Sequence, residues 1–264
     1  MQINYAWLYS AIICYLLLLW RILLEEKLKE LREKIDSIDK RLLELILERS
    51  ALVKDIAEVK SVKGVDILRP GREINLLNKL FKEGNTLLTG DSILNIWREI
   101  ISTITNSVQS SFELLITDSA GSDLSNEVRN FYGSKTKKTF NISHDEAIRN
   151  VSESKDFIAA ISAKGDWWTK ELPKNVNIFG SLPIIYKNPQ GFLIGQVEPE
   201  KAINNKTVLI CGEQEKEALK EQYKIKVLAS ISGSFLIIVE GYFKSFENNK
   251  VSILGNFGYI DAGS

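Results

Sequence analysis

Apolar side chains recur early in the chain at alternating steps of four and three: Leu31, Ile35, Ile38, Leu42 and Leu45, then Leu52, Ile56 and Val59. That spacing is the seam of a helix that packs along another helix. Neither Pro nor Gly occurs between Glu25 and Ser61, so the pattern predicts one uninterrupted helix over about 25–61. One position breaks the seam, because Arg49 stands where an apolar residue is due. The stretch "VKGVDILRPG" then ends the helix with Gly64, Pro70 and Gly71. A second helix is expected from about Pro70 to Lys82 with Ile74, Leu77, Leu80 and Phe81 inward. After the turn "EGNTLLTGD", Asp91 is the expected N-cap of a third helix to about Gln109. Its inward stripe reads Ile93, Ile96, Trp97, Ile100, Ile101 and Ile104. The first part of the chain is thus a three-helix domain, predicted over 25–111.

After Phe112 the period changes. "FELLITD", "KKTFNIS" and "DFIAAIS" read as strands, and "SDLSNEVRNFYG" and "HDEAIRNVSES" as the helices between them, an alternation typical of a small α/β layer over 112–204. A second cycle over 205–264 begins at "KTVLICG". It passes through the charged helix "EQEKEALKEQY" and continues with "IKVLASIS", "SFLIIVEGYF" and "VSILGNFGYI", a βαββ pattern with one further strand. The segment "YKNPQGFLIGQVEPEKAINNK" includes the boundary between the cycles. The predicted fold class is therefore multidomain, α followed by α/β.

Composition narrows the chemistry. The 264 residues are 44% hydrophobic, which is the make-up of a globular chain. Lys and Arg total 34 and so do Asp and Glu, which leaves no basic field for nucleic acid. Cys14 and Cys211 are too far apart to suggest a disulfide framework or a zinc site, and the single His144 reads as a loop or capping residue. No metal or cofactor is implied. At the N-terminus, "YAWLYSAIICYLLLLWRILL" over 5–24 carries one charge, Arg21. About 20 helical residues would cover a bilayer's hydrocarbon core. Two readings of 1–24 stand side by side: a membrane anchor, or a stretch upstream of the true start. The basic residues Arg21, Lys27, Lys29 and Arg32 follow the apolar run, so either reading leaves the main body cytoplasmic.

The polar residues of the helices form a second pattern. Arg49 and Lys60 are eleven residues apart, which places them within about 20° of one face and roughly 16 Å apart along the axis. Two long cationic side chains leaning together could hold a compact anion. Arg32, seventeen residues before Arg49, lies roughly 25 Å down the helix and about 100° round it, so it could join such a site only from another subunit. An antiparallel pair of long helices would deliver it, and the apolar seam asks for a partner helix independently. "RPGRE" adds Arg69, Arg72 and Glu73 at the start of the second helix, while Thr105 and Gln109, four apart on the third, could present neutral donors. Several cations, one acid and a few neutral donors describe a site that positions a small dianion and stabilises developing charge. The plainer reading is that these cations lie on a solvated helix face.

In order and spacing, "LREKIDSIDKRLLELILERSALVKDIAEVK", "RPGRE" and "IWREII" resemble the all-helical class of chorismate mutases over about Leu28 to Gln109. The resemblance implies an intertwined homodimer that rearranges chorismate to prephenate without a cofactor, in phenylalanine and tyrosine biosynthesis. It implies that Arg32 reaches a substrate carboxylate across the dimer and that Arg49 grips the other carboxylate. Lys60 would hydrogen-bond the ether oxygen, Arg72 would lie beside the substrate, and Glu73 would receive the ring hydroxyl. Two departures are visible. Arg69 stands where the family often has Asp, and anchoring on "IWREII" puts Ile104 and Val108 where Ser/Thr and Gln/Glu are expected. A one-residue shift restores the pair as Thr105 and Gln109.

More faintly, "DEAIRNVSESKDFIAAIS" is similar to the prephenate dehydratase catalytic domain, and Lys206 to the end looks like the ACT domain that follows it. The Thr-Arg-Phe motif that carries dehydration is absent. The resemblance therefore implies a degenerate dehydratase-like region over 112–204 and an ACT-like region over 205–264, kept for dimer packing or for sensing an aromatic amino acid. Two rivals remain: a membrane-tethered coiled-coil adaptor whose α/β half binds a ligand, and a bifunctional mutase and dehydratase.

Overall fold

The computed structural model describes residues 5–63, 68–108, 112–186, 188–246 and 250–263, with side chains of the first helix described over 12–59 and those of the third through 107. Two compact units, Met1–Leu52 and Val53–Ser264, divide the chain.

The first unit is helical throughout its described length. Helix α1 runs from Tyr5 to Lys63, so the expected helix over 25–61 is the C-terminal part of a longer one. Pairs such as Lys34–Glu30 at 2.5 Å and Lys27–Glu30 at 2.9 Å line its surface. Such exposed pairs are screened by solvent and add little to stability. The apolar seam stays open: Leu31, Ile35, Ile38, Leu42, Leu45 and Leu52 are between 44% and 59% exposed. Among the described residues no helix is long and apolar enough to cross a membrane, so the anchor considered for 5–24 gains no support.

In the second unit, α2 (Pro70–Lys82) and α3 (Gly90–Val108) follow the end of α1, and the α/β elements come after them. Strand β1 (Glu113–Ile116) leads through α4 (Asp123–Tyr132) to β2 (Lys138–Thr139). Helix α5 (His144–Glu153) then leads to β3 (Phe157–Ser162). Ser122 and Ser143 cap α4 and α5 by accepting from the amides of Ser125 and Glu146, as Ser-x-x-polar starts predict. Strands β4 (Asn177–Leu182) and β5 (Gly191–Gly195) precede β6 (Asn205–Gly212), α6 (Glu213–Gln222), β7 (Ile225–Ile231), β8 (Ser234–Glu240) and β9 (Ser252–Gly258).

The nine strands make one sheet in the order β2-β1-β3-β5-β4-β9-β6-β8-β7. The two predicted cycles are therefore edges of a single sheet. They meet where β4 and β9 run parallel, with Ile178 opposite Gly255. One core cluster gathers Trp167, Trp168, Phe192, Ile194 and Phe257 with α5 residues Ala147 and Val151. A second gathers Leu114, Ile158, Phe179 and Leu193 with Leu124, Val128 and Tyr132 of α4.

Helices α2 and α3 are fastened to this body. Leu77 of α2 and Leu94 of α3 share a buried cluster with Ile260, just beyond β9. Gly71 sits so close to the 200–201 backbone that an added Cβ would lie 2.9 Å from two carbonyl oxygens. The α3 stripe differs from the expected one at four positions: Ile96 is 45% exposed, while Leu94, Arg98 and Ser102 are buried, the last two on the ridge that faces α4. The cap differs too, since Thr89 and not Asp91 accepts from the Ser92 amide, at 3.3 Å.

Gly255 has a φ of +150° and its missing Cβ would fall on the Ile178 carbonyl oxygen at the β4–β9 junction. Gly255→Ala is expected to cost about 2 kcal/mol or more and to lower the melting temperature by about 4–8 °C. Thermal denaturation followed by circular dichroism checks this, and an unchanged midpoint would mean the junction has slack.

Candidate active site

The residues singled out in the sequence divide between the two units. Arg32 and Arg49 are on α1 in the first unit, Arg32 exposed and Arg49 partly buried. One guanidinium nitrogen of Arg49, Nη1, is buried with no hydrogen-bond partner among the described residues, and burial lowers the pKa of the group. A guanidinium nitrogen buried without an acceptor is costly, and sites that receive an anionic ligand are where such an arrangement is tolerated. Lys60 is in the second unit on the last turn of α1, and its side chain lies outside the described residues.

Arg72 and Glu73 open α2, where Pro70 stands at the first position and needs no amide donor. Arg72 is exposed. With Arg69, Asn75, Glu200 and Lys201 it lines an open cleft of about 420 Å³. Glu200 organises that cleft: its carboxylate takes an ion pair from Arg69 and accepts from the Arg72 amide at 3.4 Å. Arg69, which departs from the family's Asp, therefore anchors the start of α2 to the 200 loop. Asn75 strengthens the same contact by accepting from the Ile203 amide at 2.7 Å.

Glu73 points the other way round the helix and forms an ion pair with Arg98 of α3. Arg98 is 3% exposed. Its Nε donates to the Phe131 carbonyl at 2.6 Å and its guanidinium carbon lies 3.5 Å from the centre of the Phe131 ring. Burial pushes the guanidinium down to about 9, with Tyr132 opposing the shift, so it is still a cation at neutral pH. Arg98 was not singled out in the sequence: it lies inside "IWREII", and its partners are 25 and 33 residues away along the chain.

On α3, Thr105 is partly buried and Ile104, from the other register, is 6% exposed. Gln109 lies outside the described residues, as does the Val108 side chain. Asn106, between the two candidates, is turned to the α/β body, where it donates to Thr136 Oγ1 at 2.8 Å. Cys211 is no candidate nucleophile, because burial pushes its thiol up to about 11. Within the second unit the described groups fix the Glu73 carboxylate against Arg98 and gather Arg69, Arg72 and Lys201 in the cleft beside Glu200.

Residues 31–109 match the family model for chorismate mutase type II. The chain is 49% identical over 63 residues to a chorismate mutase of Methanocaldococcus jannaschii, a match covering 23% of this chain and 64% of that one. It is 40% identical over 81 residues to a bifunctional chorismate mutase/prephenate dehydratase of Aquifex aeolicus, covering 29% of this chain and 22% of that one. It is also 40% identical over 76 residues to the T-protein of Enterobacter agglomerans, covering 28% and 20%. The chain thus spans less than two thirds of each of these relatives. A solved structure described as a novel type of quorum quenching acylases overlaps 55% of this chain at 12% identity with a TM-score of 0.39, too low to assign a shared fold. Residues 31–109 are thus similar to the chorismate mutase type II family, and a large mixed-sheet α/β region follows them.

If Arg49 is held for a ligand and not for the fold, Arg49→Met should relieve an uncompensated desolvation and raise the melting temperature by about 2–4 °C. A clear fall in differential scanning fluorimetry would show that the protein itself satisfies the guanidinium.

Proposed function

We propose that the protein is a chorismate mutase, an isomerase that rearranges chorismate to prephenate without a cofactor in phenylalanine and tyrosine biosynthesis. The observation that carries this reading is that the matched segment, 31–109, contains Arg32, Arg49 and Lys60, the cations that helix geometry ties together, along with Arg72 and Glu73 of "RPGRE".

A [3,3] rearrangement moves no proton to or from the protein. The site must hold the substrate in a chair-like conformer and stabilise the charge that separates as the C–O bond breaks. Arg49 grips one carboxylate and Arg32 of the partner subunit the other, with Arg72 alongside. Lys60 donates to the ether oxygen, where negative charge grows, and Glu73 receives the ring hydroxyl. Thr105 and Gln109 supply neutral donors from α3. Lys60 is the residue whose interaction strengthens most on the way to the transition state, so it contributes mainly to kcat.

The site requires two copies of the chain, and the exposed seam of α1 supports a homodimer of intertwined helices. Fully burying a Leu or Ile is worth about 1.5–3 kcal/mol, so six half-exposed seam positions leave several kcal/mol to be gained on pairing. We assign 25–111 to the mutase domain, 112–204 to a dehydratase-like region that has lost its Thr-Arg-Phe motif, and 205–264 to an ACT-like region that senses an aromatic amino acid. The cytoplasm is the compartment that fits this pathway.

An ultraviolet assay of chorismate loss tests the reading. Turnover is expected, with no subsequent phenylpyruvate, and added phenylalanine or tyrosine should change the rate if the last region is a sensor. Lys60→Ala is expected to lower kcat by about 100-fold, the scale of about 3 kcal/mol for losing a charge-stabilising donor, with the fold intact. Undiminished turnover in that folded variant would refute the role given to Lys60, and no turnover by the wild type would refute the function.

A further inference from the structure

Arg98 is buried between three helices and makes contacts to two of them. Towards α2 it pairs with Glu73, and towards α4 it reaches the Phe131 carbonyl and stacks on the Phe131 ring. The α4 end is suited to a cation. Phe131 is the penultimate residue of that helix, where carbonyls lack intrahelical donors and the helix dipole is negative. The approach of α3 to α4 is close enough that Gly133, at a φ of +73°, has no room for a Cβ against Ser102 and Glu99. Arg98 therefore has little freedom. Its guanidinium is fixed by α4, and the fixed guanidinium sets where the Glu73 carboxylate can be.

Among the described residues, the surroundings of Glu73 offer no substitute. Around it, a cavity of about 30 Å³ is lined by Phe131 and Tyr132 from α4 and by Phe179, Ser181 and Leu193 from the sheet. None of these is charged, and burial raises the pKa of Tyr132 so that it stays neutral. Arg98 is thus the cation that faces Glu73 across the α2–α3–α4 junction, and a carboxylate left alone there would be driven towards its protonated form.

We propose that Arg98 is a positioning residue of the mutase site, which orients and keeps ionised the Glu73 carboxylate, and that the C-terminal turn of α4 is consequently a working part of that site. This rests on the mutase reading, since it assigns Glu73 the ring hydroxyl of the substrate. It also gives the α/β region a role that needs no reaction of its own. The Phe131 carbonyl belongs to that region, so the mutase acid is held from outside the segment that matches the family model.

The test is a kinetic cycle on the full chain: wild type, Glu73→Gln, Arg98→Met, Arg98→Lys and the double variant Glu73→Gln/Arg98→Met, each checked for folding by circular dichroism. Arg98→Met should lower kcat about tenfold or more, and the double variant should be no slower than Glu73→Gln, because Arg98 acts through Glu73. The acid limb of the kcat profile should move up by about one pH unit or more in Arg98→Met, and Arg98→Lys should reverse part of that shift. A merely structural Arg98 would leave the acid limb where it is. If Arg98→Met alone does not fold, the double variant, which buries no unpaired charge, is compared with Glu73→Gln, and equal kcat values are again expected.

Wild-type kcat and pH profile in folded Arg98→Met, or losses that multiply in the double variant, would overturn the proposal. Should the wild type turn over no chorismate, the function falls, and the clamp is read separately from the carbon-13 shift of the Glu73 carboxyl. Its titration midpoint then rises in Arg98→Met if the clamp exists and stays put if it does not.

Discussion

A guanidinium taken out of water needs an acceptor, and two arginines of this chain meet that requirement in opposite ways. Arg98 finds its anion within the protein, in Glu73, and a carbonyl and a ring besides. Arg49 keeps a buried nitrogen without any partner among the described residues. The first arrangement is complete and ties helices together. The second is open, on the very helix whose apolar seam is also unpaired. Both open features are satisfied if a second copy closes the seam and a dianion occupies the cage so formed.

The second unit anchors α2 from within. Its nine-stranded sheet does not contain the cations, yet it fixes the helices that carry Arg72 and Glu73. Glu200 and Asn75 pin the start of α2 to the 200 loop, and Ile260 joins Leu77 and Leu94 in one cluster. Helix α4 adds the contact that immobilises Arg98. On the proposed mutase reading, a domain fused in this way to an α/β body would gain rigidity at its acid from a neighbour that need do no chemistry. The ion pair between Glu73 and Arg98 is weak evidence of net stability, since desolvating both groups offsets much of their attraction, and its value lies in orientation.

Much of this was legible in the amino-acid pattern. Local signals gave α1 from a seam interrupted only at Arg49, α2 from "RPGRE", the helices α4 and α5, and the strands at either end of the sheet. Strands β4 and β5 were missed because they are short and buried on both faces, with Gly180, Gly191 and Gly195 among so few residues, so neither alternation nor propensity marks them. The exposure of Ile96 and burial of Arg98 were equally hidden, because the phase of α3 is set by α4, an element that follows it by a strand and a loop. Of the candidate site, the residue types and their helical spacing were readable. The partner of Glu73 was not, since nothing local to "IWREII" says that its arginine faces inward.

The central claim is that each cage is built from two chains, with Arg32 from one and Lys60 from the other. It is tested most directly by mixing two inactive variants, Arg32→Ala and Lys60→Ala, unfolding and refolding them together, and measuring chorismate turnover. Random pairing would make half of the dimers mixed, each with one site carrying both substitutions and one intact, so about a quarter of wild-type activity is expected to return. If the refolded mixture is no more active than the two variants measured separately, the cage across two chains does not exist.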